Sequence, residues 1–146
     1  MRRFVVFILV GAVTAAVTAQ NDSAKEDIAK LQGTWVRVYV DADGKKSKDG
    51  KKKPGEAITL VIKGDKFGDE TFKLDPTKSP KHIDLATVDD NGKPLSLPGI
   101  YELKGDELKV CFPYPFEGKF DKIHRRPTAF GSKRGENEVL EVYKRR

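Results

Sequence analysis

The residue types that most often carry out chemistry in proteins are sparse in this chain. It contains two histidines, His82 and His124, and one cysteine, Cys111. The histidines are far apart in sequence, and neither has the Cys, His or carboxylate spacing of a zinc site. No neighbouring base would lower the pKa of the Cys111 thiol and make it a nucleophile. We therefore expect no metal site, no cofactor and no catalytic centre.

The connection within residues 72–85 has the composition of a binding loop. Lys78 and Lys81 stand beside hydroxyl residues, so they could form an anion-binding rim for an anionic component of the cell envelope. Pro76 and Pro80 each fix a φ angle, which is typical of a stiff corner between two strands. The sequence favours the stiff corner, and the anion-binding rim remains the alternative.

The segment 41–53 is rich in lysine and begins like a calcium loop. Asp41 and Asp43 have the spacing of the first two calcium ligands, but lysines occupy the later ligand positions and no glutamate ends the loop. The pattern therefore predicts a solvated hairpin loop.

An aromatic segment, 111–120, is interrupted by prolines that cannot continue a central strand. It could pack on its own domain or form a lid beside a ligand. The candidate ligand-binding residues are the aromatic side chains of this segment and of two predicted strands: Phe112, Tyr114, Phe116, Trp35 and Tyr101.

The N-terminus has the pattern of a secretory signal peptide. Arg2 and Arg3 precede an apolar run that starts at Phe4, and the small residues Val17 and Ala19 suit a signal peptidase. The apolar run is shorter than the roughly 20 residues that span a bilayer. We expect cleavage after residue 19, export to the periplasm or the extracellular space, and no stable membrane insertion afterwards.

The predicted mature chain is one domain, residues 20–146, of 146 − 19 = 127 residues. The signal peptide, residues 1–19, holds two of the 28 basic residues and no acidic ones, so the mature charge is 26 − 22 = +4. That charge is too small to indicate a nucleic-acid-binding protein. A single cysteine cannot form an internal disulfide, so stability must come from packing.

A short helix and then an all-β domain follow from the residue periodicity. Ser23 could cap the helix, which Gly33 would end. Eight segments with a period of two follow, at 34–40, 57–62, 70–74, 81–88, 99–103, 107–112, 126–130 and 138–143. We predict an eight-stranded antiparallel barrel, because closure removes the unpaired edges of the sheet.

The alternation also predicts which side chains line the barrel. The inward set is aliphatic or aromatic and comprises Ile58, Leu60, Ile62, Ile83, Leu85, Tyr101, Leu103, Leu108, Val110, Phe112, Leu140 and Val142. His82 and Cys111 alternate with members of this set and are expected on the opposite face.

Gly33-Thr34-Trp35, directly after the helix, resembles the start of a lipocalin-type barrel. In that family the Trp plugs the closed end, and an arginine near the last strand often covers the indole. The resemblance implies this role for Arg145 or Arg146.

Over nearly the whole mature chain, "LQGTW", "DKF", "FKLDPTKSPKHIDL", "GIYELKGDELKVCF" and "RPTAFGSK" resemble an uncharacterised lipocalin-like family of small exported bacterial domains, of planctomycete type. The resemblance implies a β-barrel but no activity, substrate or catalytic residue. One departure is the long aromatic loop "PYPFEGKFDKIHR", where the family usually has a short glycine-rich one.

Two functions remain open. The first is a non-enzymatic module that binds a small apolar or amphipathic ligand within the barrel. The second is a structural or envelope-associated interaction domain with a filled barrel, which would act through its surface lysines and the 111–120 loop. Large aliphatic inward residues favour the second function, and the lipocalin resemblance favours the first.

Overall fold

The computed structural model describes residues 14–49, 56–89, 91–114 and 125–146. Within these residues it has one helix and nine strands. They are α1 (Thr14–Leu31), β1 (Gly33–Ala42), β2 (Lys45–Lys48), β3 (Thr59–Lys63), β4 (Lys66–Phe67), β5 (Glu70–Asp75), β6 (Lys81–Val88), β7 (Pro94–Lys104), β8 (Glu107–Pro113) and β9 (Glu138–Arg145).

Eight of these strands close into an antiparallel barrel, as the sequence predicts. The order is β1-β3-β4-β5-β6-β7-β8-β9, and β9 pairs back onto β1. The ninth strand, β2, pairs with the second half of β1, beyond the residues that pair with β3. We call the end of the barrel next to α1 the helix end, and the opposite end, where the β1–β2 turn lies, the far end.

One predicted strand is wrong. Residues 126–130 form no strand, and the two-residue strand β4 completes the barrel instead. Tight turns at Gly64 and Gly68, both with positive φ, precede and follow β4. A strand of two residues is too short to show a period of two, so the sequence pattern could not reveal it.

The helix is longer than the predicted one. It begins at Thr14 and passes through the predicted cleavage site, so Ser23 lies within the helix and not at its N-cap. Gln32 follows the last helical residue, and Gly33, with a φ of 125°, then starts β1. No helix among the described residues combines the length and the apolar character needed to cross a membrane.

The described part of the lysine-rich segment forms a hairpin, as predicted, and its second strand, β2, is exposed. Asp43 and Gly44, both with positive φ, form a two-residue hairpin turn. Gly44 N–H donates to Ser132 Oγ at 2.9 Å, and Gly135 N–H donates to Asp43 Oδ1 at 2.6 Å. This turn is therefore anchored to the segment before β9.

The core lies inside the barrel and contains side chains from α1 and from all eight barrel strands. Its buried members are Leu31, Trp35, Leu60, Ile62, Phe67, Phe72, Ile83, Leu85, Tyr101, Leu108, Val110 and Tyr143. Phe67 packs edge-on against Phe72 and Phe112, with ring centroids 6.3 and 6.2 Å apart. Leu103 and Phe112 are partly buried against the core, as predicted.

Three predicted inward residues lie elsewhere. Leu140 and Val142 belong to a second cluster on the outer face of β7 to β9, together with Ile100 and Cys111. Tyr143 therefore points inward in their place. Ile58 precedes β3 and is 41% exposed. Both faces of β9 are buried, so apolar character alone could not tell them apart.

Candidate functional site

Trp35 closes the helix end of the barrel. Its side chain is fully buried, and the indole Nε1–H donates to the Leu31 carbonyl at 2.8 Å. The guanidinium of Arg145 lies 4.2 Å from the ring centroid, which is a cation–π contact. Arg145 also donates to the Gln32 and Lys30 carbonyls at 2.7 and 2.6 Å, so it caps the end of α1. The expected arginine is therefore Arg145.

A second contact between α1 and the barrel is polar and buried. Asp27 Oδ2 accepts hydrogen bonds from Tyr101 Oη and Lys81 Nζ, each at 2.6 Å. Lys81 Nζ also lies 5.8 Å from the centre of the Tyr101 ring. Burial, followed by the hydrogen bond to Asp27, raises the pKa of Tyr101 well above its ordinary value. These contacts hold the helix against β6 and β7.

The candidate residues at the helix end are thus occupied by contacts within the domain. Trp35 and Tyr101 are 0% and 1% exposed, so a ligand in the barrel could reach them only by displacing core side chains or α1. Lys78 is exposed in the β5–β6 connection, whereas Lys81 points into the barrel end. The two lysines of the predicted rim therefore differ in direction and environment.

Nearer the far end, the inner face of the barrel carries a charged cluster. Arg37 Nη1 lies 2.5 Å from Glu141 Oε1, and Arg37 Nε lies 2.6 Å from Asp49 Oδ2. Tyr143 Oη donates to the other Glu141 oxygen at 2.9 Å. The side chains of Arg37 and Glu141 are 14% and 24% exposed. Solvent therefore reaches this ion pair, although the ion pair lies next to the buried apolar core.

The position of this cluster follows from strand pairing. Trp35 and Arg37 are two residues apart and therefore lie on the same face of β1. Arg37 also pairs with the inward residue Tyr143. A β-bulge follows Arg37, and at this point β1 exchanges β3 for β2 as its neighbour. The alternation of apolar residues did not predict the cluster, although an arginine two residues after an inward tryptophan indicates a charged inward position.

Apolar side chains lie on the same inner face. Phe112 packs against the backbone of Gly99, where a Cβ atom would come within 2.3 Å of the ring. Phe112 and Leu97 are partly buried against the core. Tyr114 follows β8 and is 51% exposed. The candidate Phe116 lies outside the described residues.

Cys111 lies on the opposite face of the barrel wall, as predicted, but it is completely buried. Residues 125–132, which we call the strap, cross this face, and Cys111 Sγ–H donates to the Gly131 carbonyl at 3.5 Å. Arg126 fixes the start of the strap through bonds to Gly99 O at 2.6 Å and Asp84 Oδ1 at 2.7 Å. Burial raises the pKa of the Cys111 thiol to about 11, so the thiolate is disfavoured.

The histidines do not form a common site within the described part of the chain. His82 pairs with Asp75 and Ile100 on the outer face. Burial and the nearby charge of Arg126 lower its pKa. His124 lies outside the described residues. In the described ranges no three His, Cys, Asp or Glu side chains are grouped so that they could hold a metal ion.

Comparison of the chain with protein-family models, with curated proteins and with solved structures finds no match.

Proposed function

We propose that this protein is an exported, non-enzymatic, lipocalin-like domain that binds a small amphipathic ligand on the far half of the barrel interior. The ligand would place its apolar part beside Phe112 and Leu97 and its polar head beside Glu141. The Trp35 and Arg145 arrangement supports the lipocalin-like assignment. The signal-like N-terminus supports export.

The observation that carries the proposal is the ion pair between Arg37 and Glu141 on the inner barrel face. Transfer of two charges out of water costs several kcal/mol per ion, and a filled interior could be built from apolar side chains alone. A binding site, in contrast, combines apolar walls with a few placed polar groups. The inner face near the far end has this composition.

The charges also indicate the chemistry of the head group. Glu141 accepts hydrogen bonds from Arg37 and Tyr143, and its side chain remains 24% exposed. A cationic head group that donates hydrogen bonds, such as an amine, complements this partly exposed carboxylate.

Native mass spectrometry of the protein, purified from the cells that export it, tests for a ligand. We expect a reproducible additional mass that is released by organic solvent. A bare polypeptide mass in every preparation would contradict the proposal.

A binding measurement locates the ligand. A fluorescent long-chain alkylamine should bind the wild-type protein, and Glu141→Gln should weaken that binding at least about fivefold through loss of one charge. Glu102→Gln is the matched control, because Glu102 is also a half-buried strand carboxylate but lies on the outer face, paired with Lys104 and Lys109. Equal weakening in both variants would place the probe elsewhere.

The second candidate is a structural or envelope-associated interaction domain with a filled barrel. Ile58, Val88 and Tyr114 are 41%, 56% and 51% exposed, and these apolar surfaces favour it. A bare mass together with no alkylamine binding would support this function instead.

A further inference from the structure

A depression lies on the helix end of the barrel, between the last turn of α1 and the β7–β8 turn. Its volume is about 420 Å³. The lining consists of Asp27, Lys30, Lys81, Leu103, Gly105 and Arg145. This depression is separated from the proposed ligand position by the sealed core around Trp35, so it is independent of the proposed function.

The lining has an excess of positive charge. Three of its side chains are cations and one, Asp27, is a carboxylate, so the lining carries a net charge of +2. Two further carboxylates neutralise these cations only from outside the lining. Glu26 pairs with Lys30 and Asp106 pairs with Arg145, but the side chains of these acids are 66% and 80% exposed. Exposed ion pairs of this kind contribute little energy and are readily exchanged.

The cations retain donors for a ligand. Of the five N–H groups of the Arg145 guanidinium, three are used by contacts to the Gln32 carbonyl, the Lys30 carbonyl and Asp106. Lys81 gives one of its three N–H groups to Asp27, and its side chain is 41% exposed. Lys30 is 56% exposed and its one partner is Glu26 at 2.5 Å.

The Asp27 carboxylate is held by protein donors. Its Oδ2 atom accepts from both Lys81 and Tyr101, and its side chain is 9% exposed. The carboxylate is therefore directed toward its protein donors, while the cationic groups are more accessible.

We infer that this depression binds a phosphate group, held by Lys30, Lys81 and Arg145. A phosphate dianion matches the net charge of the lining. Its tetrahedral oxygens can accept from an arginine fork and from two lysines at once. The same chemistry could come from inorganic phosphate, from a soluble phosphate ester or from a lipid phosphate.

The primary test is isothermal titration calorimetry of the full-length protein with inorganic phosphate. The ionic strength is held constant, and chloride is the reference anion. We expect saturable binding of one phosphate. Lys30→Gln should weaken it at least about fivefold, because it removes one of three cations without exposing a buried partner. Lys93→Gln, at the far end of the barrel, removes an equal charge and should leave the affinity unchanged.

Two results would overturn the inference: no saturable binding of phosphate, or equal weakening by Lys30→Gln and Lys93→Gln, which would show only non-specific charge attraction. Vesicles of neutral lipid, with and without a lipid that ends in a phosphate monoester, distinguish the sources. Binding to the phosphate-bearing vesicles that is abolished by Lys30→Gln indicates a lipid phosphate. Binding of free phosphate alone indicates a soluble ligand.

Discussion

At the scale of single residues, Trp35 shows how one side chain joins several parts of the fold. It contacts α1 through its indole N–H and β9 through Arg145, and it pairs with Leu60 of β3. The helix, the first strand and the last strand therefore meet at this indole. No smaller side chain could make all of these contacts.

Substitution Trp35→Ala should lower the free energy of unfolding by about 3–5 kcal/mol, because it leaves a cavity at the helix end and removes the indole hydrogen bond. Denaturant unfolding, followed by far-UV circular dichroism, measures this loss. Val61→Ala on β3, where Val61 is 50% exposed, should change the same quantity by less than about 0.5 kcal/mol. A loss below about 1 kcal/mol for Trp35→Ala would contradict its role as the plug.

The sequence predicted single residues well where one face of a strand is buried and the other is wet. Ile83 and Leu108 were placed correctly because polar neighbours alternate with them. Arg37 and Glu141 were missed because a charged residue is normally assigned to the wet face. Only the pairing with Tyr143 across β1 and β9 shows that these charges point inward.

At the scale of elements, the main departure from expectation concerns the strap. Residues 126–130 have the composition of a strand, yet they cover the outer face of strands in which Ile100, Cys111 and Leu140 are buried. A strand buried on both faces loses its alternation, and for this reason the sequence placed Leu140 on the wrong side. The barrel closure itself was predictable, because closing an antiparallel sheet removes its unpaired edges. The predicted number of eight strands was right only because the wrong strand at 126–130 replaced the missed β4.

The strap should control the reactivity of Cys111. With a pKa of about 11, only about 0.1% of the thiol is ionised at pH 8 in the native protein. A disulfide reagent should therefore label the native protein slowly and the denatured protein rapidly. Phe130→Ala, which removes part of the cover, should accelerate native labelling at least about tenfold, as followed by absorbance.

Val88→Ala is the control for this experiment, since Val88 is an exposed apolar residue that does not belong to the buried cluster around Cys111. Its labelling rate should equal that of the wild-type protein. Rapid labelling of the wild-type protein at pH 8, without denaturant, would show that the strap does not cover Cys111 in solution.

At the scale of the whole molecule, the barrel has a sealed apolar middle between two polar clusters. Each cluster includes a buried tyrosine whose hydroxyl donates to a carboxylate: Tyr101 to Asp27 at the helix end and Tyr143 to Glu141 on the inner face. Both hydrogen bonds require a protonated tyrosine hydroxyl. An ionised phenolate could not donate a hydrogen bond, and its negative charge would face that of the carboxylate. Because of these two clusters, we expect the barrel to lose stability at high pH.

Burial raises the pKa of Tyr101 and Tyr143 above the ordinary value of 10.0. The stabilisation is therefore fully present below about pH 10, the pKa in the unfolded chain, and is lost as the pH rises further. For two tyrosines the free energy of unfolding should fall by up to about 2.7 kcal/mol per pH unit above pH 10. Denaturant unfolding between pH 8 and pH 11.5 measures this slope. The tyrosinate absorbance that is present in the wild-type protein and lost in the double variant Tyr101→Phe/Tyr143→Phe should appear together with unfolding. In this double variant the slope should be smaller by that amount, because other alkaline groups remain. Identical slopes in the two proteins would mean that neither hydroxyl is sealed in the native barrel.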